Sequence, residues 1–142
     1  MSSVERSLNA GTSPVAAGTA AVAGVGGFSE YEAITIFATI TGATGGALDV
    51  YVQHSPDGVT WYDFVHFAQA SAAAPAVSYA VAPSLNNSIV AIGSGTTPAL
   101  TAGGCAGGHW FDQLRVLYVA GSGTSAGAAQ VVKVLCGPKR NQ

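Results

Sequence analysis

Residues 48–67, LDVYVQHSPDGVTWYDFVHF, decide how the rest of the chain is read. Leu48, Val50 and Val52 alternate with Asp49, Tyr51 and Gln53, the period of two that marks a half-buried strand. Ser55-Pro56-Asp57-Gly58 then reverses the chain: Pro56 presets φ at the first corner, Asp57 bonds nearby backbone, and Gly58 takes a positive φ without a Cβ clash. A second strand follows, with Trp61, Asp63, Val65 and Phe67 expected on one face and Tyr62, Phe64 and His66 on the other. No other stretch is as dense in large side chains, so the fold is expected to assemble around this hairpin and to cover both of its faces.

Upstream, residues 30–41 (EYEAITIFATIT) form the clearest single strand. Glu32, Ile34, Ile36, Ala38 and Ile40 share one face, and Tyr31, Thr35, Phe37, Thr39 and Thr41 the other. Their β-branched side chains favour strand over helix. Downstream, 68–75 reads as a loop ended by Pro75, 76–82 as a strand, 83–87 as a turn and 88–92 as a short strand. Residues 93–108 are a loop of small residues, longer than loops inside compact domains usually run. In 109–120 (HWFDQLRVLYVA), Trp110, Leu114, Val116 and Tyr118 oppose Phe111, Arg115, Leu117 and Val119. The turn at 121–127 and the strand at 128–136 are read as closing a hairpin with 110–120. About six to eight short strands, Gly-rich turns and no helical pattern indicate an all-β, antiparallel β-sandwich of jelly-roll-like form. Glycines and Pro14 break up residues 1–27, which are expected to form an extended N-terminal arm. The sandwich domain is placed at 28–138 and a C-terminal tail at 139–142.

Charged residues make up 8% of the 142-residue chain, against about 25% in an ordinary soluble protein, and 19 residues are Gly. The surface must then be built largely from small neutral side chains, which suits a protein packed against neighbours better than a free monomer. A formal charge of −2 leaves no electrostatic footprint for nucleic acid. Lys139 and Arg140 give only a small basic terminus. The N-terminal residues lack the charge and Leu-rich core of a secretory signal, and 15–28 is too short and weakly apolar to span a bilayer. Synthesis in the cytosol is the expectation, which favours Cys105 and Cys136 as separate thiols over the disulfide that the sequence also allows, with Cys136 buried in a strand.

Few residues point to chemistry. His54, His66 and His109, with Asp49, Asp63 or Asp112, lack close metal-ligand spacings such as HxH or HExxH. Asp49 and Asp63, on the two arms of one hairpin, offer a carboxylate pair of the kind that hydrolyses glycosides, but both also fit outward polar positions. No Cys–His signature or P-loop is present, and the Gly-rich stretches at 103–108 and 121–127 have no accompanying Lys for phosphate. Trp61, Tyr62, Trp110 and Phe111 are the best candidates for binding, as a platform for a sugar ring, although Trp61 and Trp110 sit in registers that suit the core. The residues thus suggest no catalytic group, cofactor or metal.

The run Leu-Asp-Val-Tyr-Val-Gln-x-Ser-x-Asp-Gly-x-x-Trp-x-Asp at 48–63 resembles a pattern in small β-sandwich virion proteins of tailed double-stranded DNA phages. The run FDQLRVLYVAGSGTSAG at 111–127 is similar to the closing hairpin of such proteins, and the two together cover about a quarter of the chain. Among these proteins the chain looks most like a capsid cement, or decoration, protein. That resemblance implies a jelly-roll-like domain on the capsid exterior, made in the host cytoplasm. Its partners would be the major capsid protein and copies of itself, as dimers or trimers at local symmetry axes, without nucleic acid or membrane. Val15, Val22 and Val25 in the arm, Thr96, Pro98 and Leu100 in the long loop, and Lys139 and Arg140 at the end are the expected contacts. Two other roles fit the same residues: a carbohydrate-binding module on a virion surface, and a tail or head–tail connector subunit.

Overall fold

The alternation in 48–67 does produce a hairpin, and it is unusual within this fold. The computed structural model describes residues 3–10, 18–40, 47–69, 77–83, 90–121 and 130–140. Eight strands lie among them: β1 (Val4–Ala10), β2 (Gly18–Ala21), β3 (Ile34–Ile40), β4 (Leu48–Ser55), β5 (Tyr62–His66), β6 (Val77–Val81), β7 (Gln113–Ala120) and β8 (Val131–Cys136). They form two four-stranded sheets, ordered β1-β8-β3-β6 and β2-β7-β4-β5, with every pairing antiparallel. Among the described strands, consecutive ones change sheet at each connection except β4 to β5. This is the strand order of a jelly roll, and the stretch at 48–67 is its one pairing of chain neighbours.

The turn inside that hairpin is fixed by its own side chains. Ser55 Oγ accepts from Gly58 N at 2.8 Å, while Asp57 Oδ1 accepts from Val59 N at 2.9 Å and Thr60 N at 2.8 Å. Gly58 takes φ +76°, where a Cβ would be strained. The expected two-residue alternation of β5 does not hold throughout. Val52 pairs with Val65 and Gln53 with Asp63, which leaves Phe64 as an extra residue in a β-bulge. Phe64 and Val65 therefore both reach the core, with Phe67, while Asp63 and His66 point to the other face.

Four further expectations change. Residues 109–136 do not form a hairpin: β7 pairs with β2 and β4, and β8 with β1 and β3. Each carries an apolar stripe that needs the opposite sheet as cover. Leu114, Val116 and Tyr118 of β7 and Val132, Val134 and Cys136 of β8 share one core, with Ile34, Ile36, Ala38 and Ile40 of β3 and Leu48, Val50 and Val52 of β4. Burying each large side chain there contributes about 1.5–3 kcal/mol. The expected arm supplies β1 and β2, one edge strand for each sheet. Beyond β2 the pairing continues, with Val22 N bonded to Val116 O at 2.9 Å and Val25 exchanging bonds with Leu114 at 2.8 and 2.9 Å. Small side chains suffice there because an edge strand is held chiefly by its ladder. Finally, of the strand expected at 88–92, residues 90–92 are not in a strand and 88–89 lie outside the described residues; β3 begins at Ile34, so that Tyr31 is buried and Glu32 exposed. Both cysteines are buried thiols.

Candidate functional site

The two sheets turn very different outer faces to their surroundings. On β2-β7-β4-β5, residues 93–108 lie over the sheet and are wired to it. Asp63 is the anchor: its carboxylate accepts from Gly93 N (2.8 Å), Ala99 N (2.8 Å), Leu100 N (2.9 Å) and Gln53 Nε2 (3.1 Å). Burial alone would raise its pKa, but these four donors hold it below the ordinary 3.8. Gln53 Nε2 also donates to Gly95 O at 2.9 Å, and Arg115 donates to Gln53 Oε1 through Nε (2.9 Å) and Nη2 (2.7 Å) while lying over the Trp61 ring. A side chain at Gly93 would collide with the Thr97 carbonyl at 2.2 Å, so the loop can approach only as glycine there.

Further along, His66 bridges Leu100 O (2.7 Å) and Asp49 Oδ1 (2.8 Å) and stacks on Tyr51 at 3.9 Å. Leu100 is 2% exposed, packed with Tyr51 and Leu117 into a second small core. Burial, and then the charges of Asp49 and Asp63, push the Tyr51 hydroxyl up to about 12. The loop also completes the free edge of β5 by backbone bonds, among them Gly95 N to Trp61 O (2.8 Å) and Ala106 N to Phe64 O (2.8 Å).

The outer face of β1-β8-β3-β6 is open. Its registers set out a grid: Glu5, Leu135 and Thr35 in one row, Ser7, Lys133, Phe37 and Ala80 in the next, Val131, Thr39 and Ser78 in the third. Phe37 is 42% exposed and Leu135 36%. The charges on this grid are Glu5 and Lys133, which pair with each other at 3.0 Å. Thr39 and Ser78 share a hydroxyl contact at 3.3 Å. The result is a nearly neutral plate of small and apolar side chains, with a shallow hollow of about 270 Å³ beside Phe37, Thr39, Val131 and Lys133.

A third feature is a cleft of about 430 Å³ at the turn end of the β4–β5 hairpin, lined by His54, Pro56, Tyr62, Ile92, Ala106, Gly107, His109 and Phe111. The His54 ring is stacked on Phe64 at 4.4 Å and tilted against Phe111 at 4.6 Å. Desolvation lowers its pKa from 6.5 to about 4, so the ring is neutral.

The expected site residues are scattered over this framework. Val15 lies outside the described residues. Val22 and Val25 are half-buried and packed on the core. In the loop, Thr96 is exposed, Pro98 half-buried, and Leu100 an internal plug rather than a surface contact. Lys139 pairs with Glu30 at 3.1 Å and Arg140 Nε bonds Tyr31 O at 3.0 Å, which ties the tail to the segment before β3. Trp61 and Trp110 are buried, Trp110 Nε1 bonding Phe28 O at 2.8 Å, so neither offers a platform. Tyr62 and Phe111 do reach the cleft. Of the carboxylates, Asp63 is occupied by backbone amides, Asp49 by His66 and Gln69, and Asp112 by Ser29 and Gly27. The Gln53–Asp63–Arg115 network was missed by the sequence reading; its trace is a row of outward polar residues on neighbouring strands.

Compared by sequence, the chain matches no family model and no curated protein. Among solved structures it is similar to a chain in the structure of the infectious bursal disease virus Gx strain, with a TM-score of 0.34 at 9% identity. The match covers 95% of this chain and 31% of that one, so the chain spans about a third of the other's length.

Proposed function

We propose that the chain is a structural virion protein that binds the outside of a tailed-phage capsid and cements neighbouring major capsid protein subunits against internal DNA pressure, without catalysis or a cofactor. The observation that carries this reading is the open, nearly neutral face centred on Phe37 and Leu135, in a molecule that seals its other sheet. A plate of small neutral side chains sheds little bound water and buries no unpaired charge when it docks. Bridging two neighbours takes two surfaces; the open sheet face supplies one and the exposed Thr96 side of the sealed half the other. A sandwich already ordered by its hydrogen bonds gives up little entropy on docking. Each copy would then add binding free energy only to the arrangement of subunits it fits, stabilising that arrangement by linkage. The resemblance at 48–63 to phage virion β-sandwiches points the same way.

The test compares capsids with and without the protein under heating or osmotic shock. The proposal expects the decorated shells to retain DNA to a higher temperature. Equal robustness of the two would overturn it.

A further inference from the structure

The cleft at the turn end of β4–β5 has a chemistry that the docking surfaces do not use. His54 Nδ1 accepts from Phe111 N at 3.3 Å, which places the proton of the neutral ring on Nε2. Among the described residues this amide makes the only hydrogen bond to the ring, so Nε2–H remains as a donor in the cleft wall. The Tyr62 hydroxyl adds a group that both donates and accepts. The rings of Tyr62 and Phe111 stand 6.3 Å apart at 51°, an open V, and Phe111 is 41% exposed. Ile92 closes the apolar side. Among the described residues, no carboxylate, Lys or Arg lines the cleft.

These properties select among ligands. An ion would find no countercharge there. A purely apolar group would leave the His54 donor and the Tyr62 hydroxyl unpaired, at a penalty. A pyranose ring offers C–H faces for the aromatic walls and hydroxyls for the polar groups. The volume, about 430 Å³, lies in the range of small-molecule sites. We propose that this cleft binds a neutral sugar unit of a glycan, one pyranose ring packing on Phe111 and Tyr62 while His54 Nε2–H and the Tyr62 hydroxyl bond its hydroxyls. This site is separate from the open sheet face, so it stands or falls independently of the cementing role.

The full chain, labelled with ¹⁵N, would be titrated by NMR with lactose, maltose, cellobiose and diacetylchitobiose at millimolar concentrations. At least one should give saturable shifts confined to the amides around His54, Tyr62 and His109–Phe111. Phe111→Ala should weaken that binding about tenfold, and Tyr62→Phe about threefold, each with an otherwise unchanged spectrum. The conservative Tyr62→Phe keeps the ring and serves if Phe111→Ala disturbs the fold. Absence of saturable shifts with all four sugars would overturn the proposal. So would sugar binding that Tyr62→Phe leaves unchanged, or a proline-rich peptide that fills the cleft when no sugar does.

Discussion

Leu117 on β7 and Phe37 on β3 occupy comparable places, each near the middle of an inner strand of its sheet and each pointing away from the shared core. Leu117 is 0% exposed and Phe37 42%. The difference lies in what crosses above them. Over Leu117 runs a loop held by a buried carboxylate; among the described residues Phe37 is flanked on its own face by threonines, small residues, Val131, the exposed Leu135 and one exposed ion pair. Alternation along a strand tells which side chains leave the core. It does not tell whether another part of the chain comes to meet them.

This contrast can be broken most forcefully at Asp63. Asp63→Ala removes the acceptor for three backbone amides and strands them beneath the loop, and it should cost about 3–5 kcal/mol in denaturant unfolding. Unfolding at the wild-type denaturant concentration would mean that the loop is not held there. Next comes Leu117→Ala, which should cost about 2–4 kcal/mol because the second small core cannot collapse around the gap. Phe37→Ala, its counterpart on the open face, should cost less than about 1 kcal/mol. Equal losses at the two positions would erase the distinction between the faces.

Acid should act on the sealed half. His54 has a folded pKa of about 4 against an ordinary 6.5, so the unfolded chain takes up its proton first. The stability it contributes is full above pH 6.5 and is lost as the pH falls toward 4, by up to about 3 kcal/mol. Thermal unfolding of His54→Gln, compared with wild type across that range, should show a flatter profile. Asp63, whose folded pKa is depressed, contributes stability that is lost only at still lower pH, below the ordinary 3.8. The smallest effect is expected at Lys133→Gln on the open face: an exposed pair with Glu5 contributes a few tenths of a kcal/mol to stability, measured by chemical unfolding.

The β4–β5 hairpin, the faces of β7 and most of those of β3 were legible because apolar and polar residues alternate there over long runs. Three things were not. The bulge at Phe64 depends on a two-against-one pairing that leaves no mark in the composition of 61–67. Of the strands in 1–27, β2 has side chains too small to signal burial, and the ladders of both β1 and β2 depend on partners more than ninety residues away, as Val4 with Cys136 and Gly18 with Ala120. The hold of the 93–108 loop on the sheet was hidden because Asp63 was read as a candidate acid or an outward polar position, and Gln53 and His66 only as members of alternating strands. The same blindness hid the cleft, since His54 and Phe111 meet only once β4 and the segment before β7 lie side by side.

The most direct test of the account is co-sedimentation of the purified protein with expanded capsids, comparing Phe37→Asp with wild type by bound copy number. Both proteins should unfold at similar denaturant concentrations, while the substituted one leaves the shells nearly bare because its open face now carries an uncompensated charge. Full occupancy by a folded Phe37→Asp protein would contradict the claim that this face is where the molecule meets its neighbours.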